Sequence, residues 1–142
     1  MMKFTKKQRR KKFTLTEIIV VMLILASLMS IGVPMYFRHV ESSKVKTAQM
    51  QIKMFGQALM DYRIDMGDYP DASTGLEALF TNPGVEKWDG PYLNSDGLPK
   101  DPWGSDYIYN KPGENNRDFD IISYGSDAQP GGTGNAADII GR

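Results

Sequence analysis

Two aspartates, Asp127 and Asp138, bracket a segment rich in glycine and proline near the C-terminal end of the chain. This segment, residues 124–139 (YGSDAQPGGTGNAADI), is predicted to be a loop, because Gly and Pro interrupt both helices and regular strands. Oxygen donors on a flexible loop suit Ca²⁺, which accepts about six to eight carboxylate, carbonyl and water oxygens. No His or Cys lies nearby, so zinc is not expected. Asp and Asn also favour ordinary turns, so the residues alone leave a metal site and a plain turn both open.

Other groups suited to catalysis are scarce. The chain has no cysteine and a single histidine, His39, and it contains no glycine-rich phosphate loop. Three aspartates, Asp61, Asp65 and Asp68, lie close together in sequence near a predicted helix end, where solvation or capping explains them. A membrane-anchored hydrolase that uses carboxylates is the enzymatic alternative. The sequence favours a protein that is not an enzyme.

Glu17 is the other charged group in an unusual position. It borders residues 18–37, a run of 20 residues without a charged side chain. About 20 residues suffice for a helix to cross the ~30 Å apolar core of a bilayer. A carboxylate within hydrocarbon costs roughly 2.5 kcal/mol or more unless it is paired or near the interface. Glu17 therefore either lies at the headgroup level with Thr14 and Thr16 or has a positively charged partner.

The charge distribution predicts the orientation of this span. Residues 1–12 hold seven of the 17 Lys and Arg residues and no acidic residue. The rest of the chain carries 10 basic and 17 acidic side chains, a net charge of about −7. Basic residues beside a span stay in the cytoplasm, so we expect a single-pass inner-membrane protein in contact with lipid, whose C-terminal domain is periplasmic. An acidic domain of this kind is not expected to bind nucleic acid. An uncleaved signal anchor would also fit, because no small-x-small cleavage site follows the apolar run.

A long helix is predicted to position these groups. We expect it to run nearly continuously over residues 16–64, with a kink or local unwinding between Ser30 and Pro34, and to end at Met66–Gly67. In its second half, apolar residues recur at helical spacing on one face: Val45, Ala48, Ile52, Phe55, Leu59 and Tyr62. The spacing also fits a coiled-coil seam, but packing on a small sheet is favoured because the pattern lasts less than three heptads.

Shorter elements follow the helix. Residues 75–80 form a predicted short helix capped by Ser73 or Thr74, and residues 88–99 form a predicted loop. Residues 107–109 and 119–123 are rich in aromatic and β-branched residues, which predicts two antiparallel strands. The aromatic residues expected in the core and sheet are Trp103, Tyr107, Tyr109 and Phe119. The predicted fold class is α+β: a long N-terminal helix packed on a small antiparallel β-sheet, with a long C-terminal loop.

Several motifs together carry a resemblance to a known family. A basic leader stops at Phe13, Glu17 follows four residues later, and Pro34 lies 17 residues beyond Glu17. Downstream come YRIDMGDYP (62–70), STGLEALF (73–80), GPYLNSDGLPKDPWGSDYIY (90–109) and FDIISYGSDAQPGG (119–132). The chain resembles the major pseudopilins of type II secretion systems, within the type IV pilin-like superfamily, along nearly its whole length from Phe13. The downstream segments are more specific than the apolar span.

The resemblance implies roles for the N-terminal residues. It implies that a prepilin peptidase/N-methyltransferase removes the leader before Phe13, and that Glu17 pairs with the Phe13 amine of a neighbouring subunit during assembly. The family almost always has Gly before the cleaved bond, whereas this chain has Lys12. The resemblance also implies that the region around Pro34 unwinds when subunits pack into a filament.

The resemblance further implies one Ca²⁺ in the C-terminal loop. The family's ligands fall on the carbonyls of Tyr124 and Ser126 and on the side chains of Asp127 and Asp138. The family usually has another acidic residue shortly before the last one, and here Asn135 is the candidate neutral substitute. With fewer charged ligands, the calcium affinity is expected to be weaker.

The implied function is that of a structural subunit. It polymerises as a homo-oligomer into the helical periplasmic pseudopilus, and it works with minor pseudopilins and an inner-membrane assembly platform to drive folded proteins across the outer membrane. A type IV pilin or minor pseudopilin, and a membrane-anchored binding domain without assembly, are the alternatives. The expected organisation is a leader (1–12), a membrane and filament-core helix (13–37) and a periplasmic domain (38–142). That domain comprises an amphipathic helix (38–64), variable loops with a short helix (65–118), and a final strand with the calcium loop (119–142).

Overall fold

The computed structural model describes residues 13–141, so the leader with Lys12 and the terminal Arg142 lie outside the described residues. One long helix, α1 (Leu15–Met66), precedes three short strands: β1 (Ile108–Asn110), β2 (Asp120–Ser123) and β3 (Ile139–Gly141). Short 3-10 turns lie at Gly75–Leu79, Glu114–Asn116, Gly125–Asp127 and Gly134–Ala136. Contacts divide the chain into two compact units, one that ends at Arg38 and one that begins at His39.

The first unit consists of the N-terminal part of α1. Among the described residues, α1 is the one helix long and apolar enough to cross a membrane by length and composition. It remains helical through Pro34, so the local unwinding predicted near that residue is absent from the isolated subunit. Proline removes one backbone donor, but α1 continues through Pro34 without a break.

The second unit has a core between α1 and the sheet. The buried positions of α1 are those predicted from the sequence, except that Val45 is half-buried and Gly56 and Ala58 are buried as well. Phe55 meets Tyr107 edge to face, with ring centroids 5.0 Å apart. These contacts confirm the prediction that this helix face packs on a small sheet.

The end of α1 is also close to its predicted position. The helix ends at Met66, and Gly67 adopts a φ of +87°, the left-handed conformation that glycine takes at low cost. The Gly67 N–H donates a 2.8 Å hydrogen bond to the Arg63 carbonyl, which satisfies one of the last helical acceptors.

The sheet has three strands in chain order, and all neighbours are antiparallel. Ile108 pairs with Ile122 between β1 and β2, and Ile122 pairs with Ile140 between β2 and β3. The two predicted strands are confirmed, but the prediction that the last segment is only a loop was wrong from Ile139 onward. The signal for β3 is a pair of β-branched residues, and the glycine-rich run before it obscured that signal.

Two smaller predictions need correction. The element at Gly75–Leu79 is a 3-10 turn whose cap position, Thr74, makes no side-chain hydrogen bond, so burial of Leu76 and Leu79 holds it instead. Tyr107 and Phe119 lie in the core as predicted, and Tyr109 packs against it. Trp103 is only half-buried: its indole N–H donates to Glu41 Oε2 at 3.0 Å, beside α1 rather than in the core.

Candidate functional site

The loop between β2 and β3 folds back on itself. The 3-10 turns Gly125–Asp127 and Gly134–Ala136 pack against each other, which brings the two ends of the loop together. Gly125 is buried at a φ of +67°, and a Cβ there would lie 2.9 Å from the Asn135 carbonyl oxygen and 3.0 Å from that of Ala137. Only glycine fits this close approach. The predicted ligands on both sides, Tyr124 to Asp127 and Asn135 to Asp138, are thus brought into one small region.

The two aspartates differ in how their carboxylates are satisfied. Asp127 Oδ1 accepts the Gln129 N–H at 3.1 Å, which is an ordinary local turn. Asp138 Oδ2 accepts the Gly131 N–H at 2.9 Å, but Asp138 Oδ1 is buried and has no hydrogen-bond partner among the described residues. A buried carboxylate oxygen without a partner is costly. A cation beside Asp138 would remove that cost.

One other buried carboxylate oxygen lacks a hydrogen bond in the described part of the chain, Asp120 Oδ1. It lies 3.0 Å from the Arg117 Nε, so an ion pair compensates it. Asp138 Oδ1 has no such neighbour among the ion pairs of residues 13–141. Asp138 Oδ1 is therefore the buried carboxylate oxygen of residues 13–141 that neither a hydrogen bond nor an ion pair satisfies.

The backbone carbonyls of Asn135 and Ala137 are a feature of this loop that the residue types did not reveal. Within residues 13–141, no group of three or more His, Cys, Asp or Glu side chains is placed to hold a metal. A cation in the loop would depend on carbonyl oxygens, and those of Asn135 and Ala137 converge toward Gly125. Residue types do not show the direction in which a carbonyl points. The sequence feature that marks this close approach is Gly125, whose φ is positive.

The N-terminal residues form a capped helix start. The Glu17 N–H donates to Thr14 Oγ1 at 3.2 Å, and the Thr14 N–H lies 3.5 Å from Glu17 Oε2, which is a capping-box arrangement. Phe13 is 75% exposed immediately before the cap. Glu17 therefore has a local role in starting α1, in addition to the roles expected from the sequence. Pro34 lies 17 residues further along the same helix.

The family "Type II secretion system (T2SS), protein G" matches residues 35–142 of this chain. That match covers more than half of the chain and includes the whole candidate metal loop. The chain belongs to this family.

Curated relatives carry the name "Type II secretion system core protein G". The relative from Pseudomonas aeruginosa is 42% identical over 140 residues, which cover 93% of this chain and 96% of the relative. The relative from Vibrio cholerae is 40% identical over 139 residues, 94% of this chain and 93% of the relative. The relative from Escherichia coli K12 is 37% identical over 134 residues, 92% of this chain and 90% of the relative.

A solved structure is also similar to this chain. It is the crystal structure of the major pseudopilin from the type 2 secretion system of enterohaemorrhagic Escherichia coli. The match has a TM-score of 0.59 and 32% sequence identity, and it covers 73% of this chain and 90% of that chain. The predicted family and fold class are both confirmed.

The helix α1 presents exposed apolar residues in both units. In the second unit these are Met50, Met54, Met60 and Ile64, which are 59%, 53%, 49% and 79% exposed. They lie away from the face that packs on the sheet. Exposed apolar residues along a helix are typical of a surface that another helix covers.

Near its first residues, the second unit has a polar contact between α1 and the DPWG turn. The Trp103 indole N–H and then the Lys44 ammonium, 3.2 Å from Glu41 Oε1, lower the pKa of the Glu41 carboxyl below its ordinary value. Glu41 thus favours its charged form, which accepts both hydrogen bonds.

Proposed function

We propose that this chain is the major pseudopilin of a type II secretion system, and that its polymerisation into a helical periplasmic pseudopilus helps drive folded proteins across the outer membrane. The observation that carries the proposal is the family membership over residues 35–142, together with the similarity to a solved major pseudopilin. Exposed apolar side chains along α1 support assembly, because a filament of bundled helices would cover them.

Before assembly, the subunit is held in the inner membrane with its second unit in the periplasm. The seven Lys and Arg residues of positions 1–12 support this orientation, since basic residues flanking a span stay cytoplasmic. A prepilin peptidase then removes the leader between Lys12 and Phe13 and methylates the new terminus. Mass spectrometry of the protein from its native membrane tests this step, and an intact Met1 terminus would refute it.

The proposed assembly role of Glu17 is to pair with the Phe13 amine of a neighbouring subunit. The capping box supplies an alternative use for the same carboxylate, and its longer bond, 3.5 Å to Thr14 N, leaves Glu17 weakly held within its own chain. The exposure of Phe13 supports this pairing, because the described residues of its own chain leave the residue that would carry the amine largely uncovered. An ion pair in the membrane compensates two charges that would each be costly alone.

Two variants separate capping from assembly. Glu17→Ala removes both functions, whereas Thr14→Ala removes the cap and leaves the carboxylate. Expressed with the assembly machinery, Glu17→Ala is expected to insert normally and form no filaments in electron micrographs, while Thr14→Ala still forms them. Equal loss of filaments in both variants, at equal membrane levels, would assign Glu17 to capping. A secretion defect with normal twitching motility would distinguish a pseudopilin from a type IV pilin.

We further propose that the C-terminal loop binds one Ca²⁺. The residues that would hold it are Asp127 and Asp138 through their side chains and Tyr124 and Ser126 through their carbonyls, with Asn135 as a neutral donor. The unpartnered Asp138 Oδ1 supports this proposal. The chain has no cysteine, so the ion would connect the two ends of the loop between β2 and β3 as a disulfide does elsewhere.

Thermal unfolding of the full chain in detergent, with calcium and with chelator, tests the site. Calcium at about 100 times its Kd should stabilise the fold by about 2.7 kcal/mol. Asp138→Asn should abolish that difference, while Asp118→Asn, an exposed aspartate outside the loop, should preserve it. Equal midpoints with calcium and with chelator in the wild type would refute the site.

The proposed partners are other copies of the chain, minor pseudopilins and the inner-membrane assembly platform. The role is structural rather than enzymatic: the chain supplies helices, an apolar surface and a metal-stabilised loop.

A further inference from the structure

Asp101, in the DPWG turn, is a buried carboxylate that the proposed function does not use. It is only 4% exposed. Its Oδ1 accepts the backbone N–H groups of Trp103 at 3.1 Å and Ser105 at 2.8 Å. A buried carboxylate is retained at a cost unless such donors surround it. These two hydrogen bonds hold the backbone of the DPWG turn in place around the Asp101 side chain.

The second oxygen of Asp101 faces the last residue of β2. Ser123 is fully buried, and its hydroxyl donates to Asp101 Oδ2 at 2.6 Å. The same hydroxyl accepts the Gly125 N–H at 3.3 Å. Gly125 lies between Tyr124 and Ser126, the two residues whose carbonyls the proposed calcium site uses. Asp101 therefore reaches the metal loop through one side chain, Ser123.

We propose that Asp101 and Ser123 are positioning residues for calcium in the C-terminal loop. The carboxylate accepts a hydrogen bond from the Ser123 hydroxyl, so a hydroxyl lone pair is directed at the Gly125 N–H. This holds the Gly125 peptide in place. The carbonyls on either side are then preset for the ion. Partners of this kind, one bond removed from the ligands, set metal affinity through ligand orientation. The proposal rests on the calcium site proposed above.

The same turn extends the hydrogen-bonded path to α1. Trp103 follows Asp101 by two residues, and its indole N–H donates to Glu41 at 3.0 Å. A continuous path thus runs from Gly125 through Ser123 and Asp101 to the helix. If calcium orders the Gly125 end, the coupling is reciprocal, and the Trp103 environment must respond to the ion.

Calcium titration of the full chain in detergent micelles, by calorimetry, tests the affinity. Ser123→Cys keeps the shape of the side chain but replaces the hydroxyl with a weak donor and acceptor. Asp101→Asn keeps the shape of the turn but presents an amide to Ser123. Both should raise the calcium Kd by about tenfold or more. The matched control is Asp106→Asn, because the Asp106 side chain is 76% exposed and its loss should leave the Kd unchanged.

A second readout reports positioning rather than stability. With fluorinated tryptophan incorporated, calcium should shift the ¹⁹F signal of Trp103 and leave that of Trp88, whose indole N–H donates to the Ala78 carbonyl, unchanged. In Ser123→Cys, saturating calcium should no longer shift the Trp103 signal. In the calcium-free state, amide exchange at Gly125 should be faster in this variant than in the wild type.

The outcomes separate the two proposals. A wild-type chain that does not bind calcium overturns both the site and the positioning role. A wild-type chain that binds, with Ser123→Cys and Asp101→Asn binding equally well, overturns the positioning role and leaves the site intact. If Ser123→Cys does not fold, the calcium Kd of Asp101→Asn and the ¹⁹F signal of Trp103 in the wild type test the proposal. A wild-type Trp103 signal that calcium leaves unchanged overturns it.

Discussion

Gly141, at the end of β3, offers a sharp test of how the last strand meets α1. A Cβ built at Gly141 would overlap Cγ2 of Ile52, and Ile52 is only 2% exposed. The backbone of Gly141 is outside the positive-φ region, so alanine is conformationally acceptable there. Any cost of Gly141→Ala must therefore come from the contact with Ile52.

The magnitude follows from overpacking. One methyl group forced into a packed interior costs about 1–3 kcal/mol, and truncation of Ile52 to alanine costs about 2–5 kcal/mol. If the two changes acted independently, the double variant would lose about 3–8 kcal/mol. Because Ile52→Ala removes the overlapping atom, the double variant should instead lose little more than Ile52→Ala alone.

Urea unfolding of the full chain in detergent, followed by tryptophan fluorescence, measures these free energies. Ile140→Ala is the control, because that side chain lies on the same strand and is 48% exposed; it should change stability little. The expected coupling energy between Gly141 and Ile52 is about 1–3 kcal/mol. Additivity within about 0.5 kcal/mol would refute the packing of β3 on this residue.

Three further predictions concern the second unit. Trp103→Phe removes the largest cause of the lowered Glu41 pKa, so NMR titration should show that pKa rising toward its ordinary value of 4.5. Because the Glu41 pKa is lowered in the folded state, its charged form stabilises the fold at pH values above the ordinary pKa. This stabilisation is lost as the pH falls, so the difference in stability between wild type and Trp103→Phe should narrow in acid. Gly125→Ala should destabilise more than Gly131→Ala in urea unfolding, because both have positive φ but only Gly125 meets carbonyls; equal losses would contradict the loop geometry. Leu79→Ala, at a fully buried position, should cost about 2–5 kcal/mol in the same assay, and a loss below 1 kcal/mol would contradict its core position.

The helix and its packing face could be predicted because periodic apolar residues report burial directly. Ala48, Ile52 and Phe55 repeat at helical spacing, and Gly67 marks the end. The third strand could not be predicted, because Ile139 and Ile140 are too few residues to show alternation and they follow a glycine-rich segment. Their strand conformation depends on pairing with β2, which is a tertiary effect that no local pattern contains.

From the residues alone, the candidate site was predictable only in its side chains; the carbonyls of Tyr124 and Ser126 came from the family resemblance. Asp127 and Asp138 are visible as carboxylates on a loop, whereas the carbonyls of Asn135 and Ala137 depend on backbone direction. Asp101 lies 22 residues before Ser123, and nothing in the sequence links the two before the sheet brings them together. The capping role of Glu17 has a sequence signal in Thr14, three residues earlier, which is the spacing of a capping box.

The edge position of β3 allows a local opening of the second unit. Strand order follows chain order, so β3 is paired on one side only, over three residues of β2. Because β1 pairs with β2 without it, this edge can open while those two strands stay paired. Peeling would carry Asp138 away from Tyr124, so ion release and edge opening become one event. The residence time of the proposed ion would then report the lifetime of the closed edge.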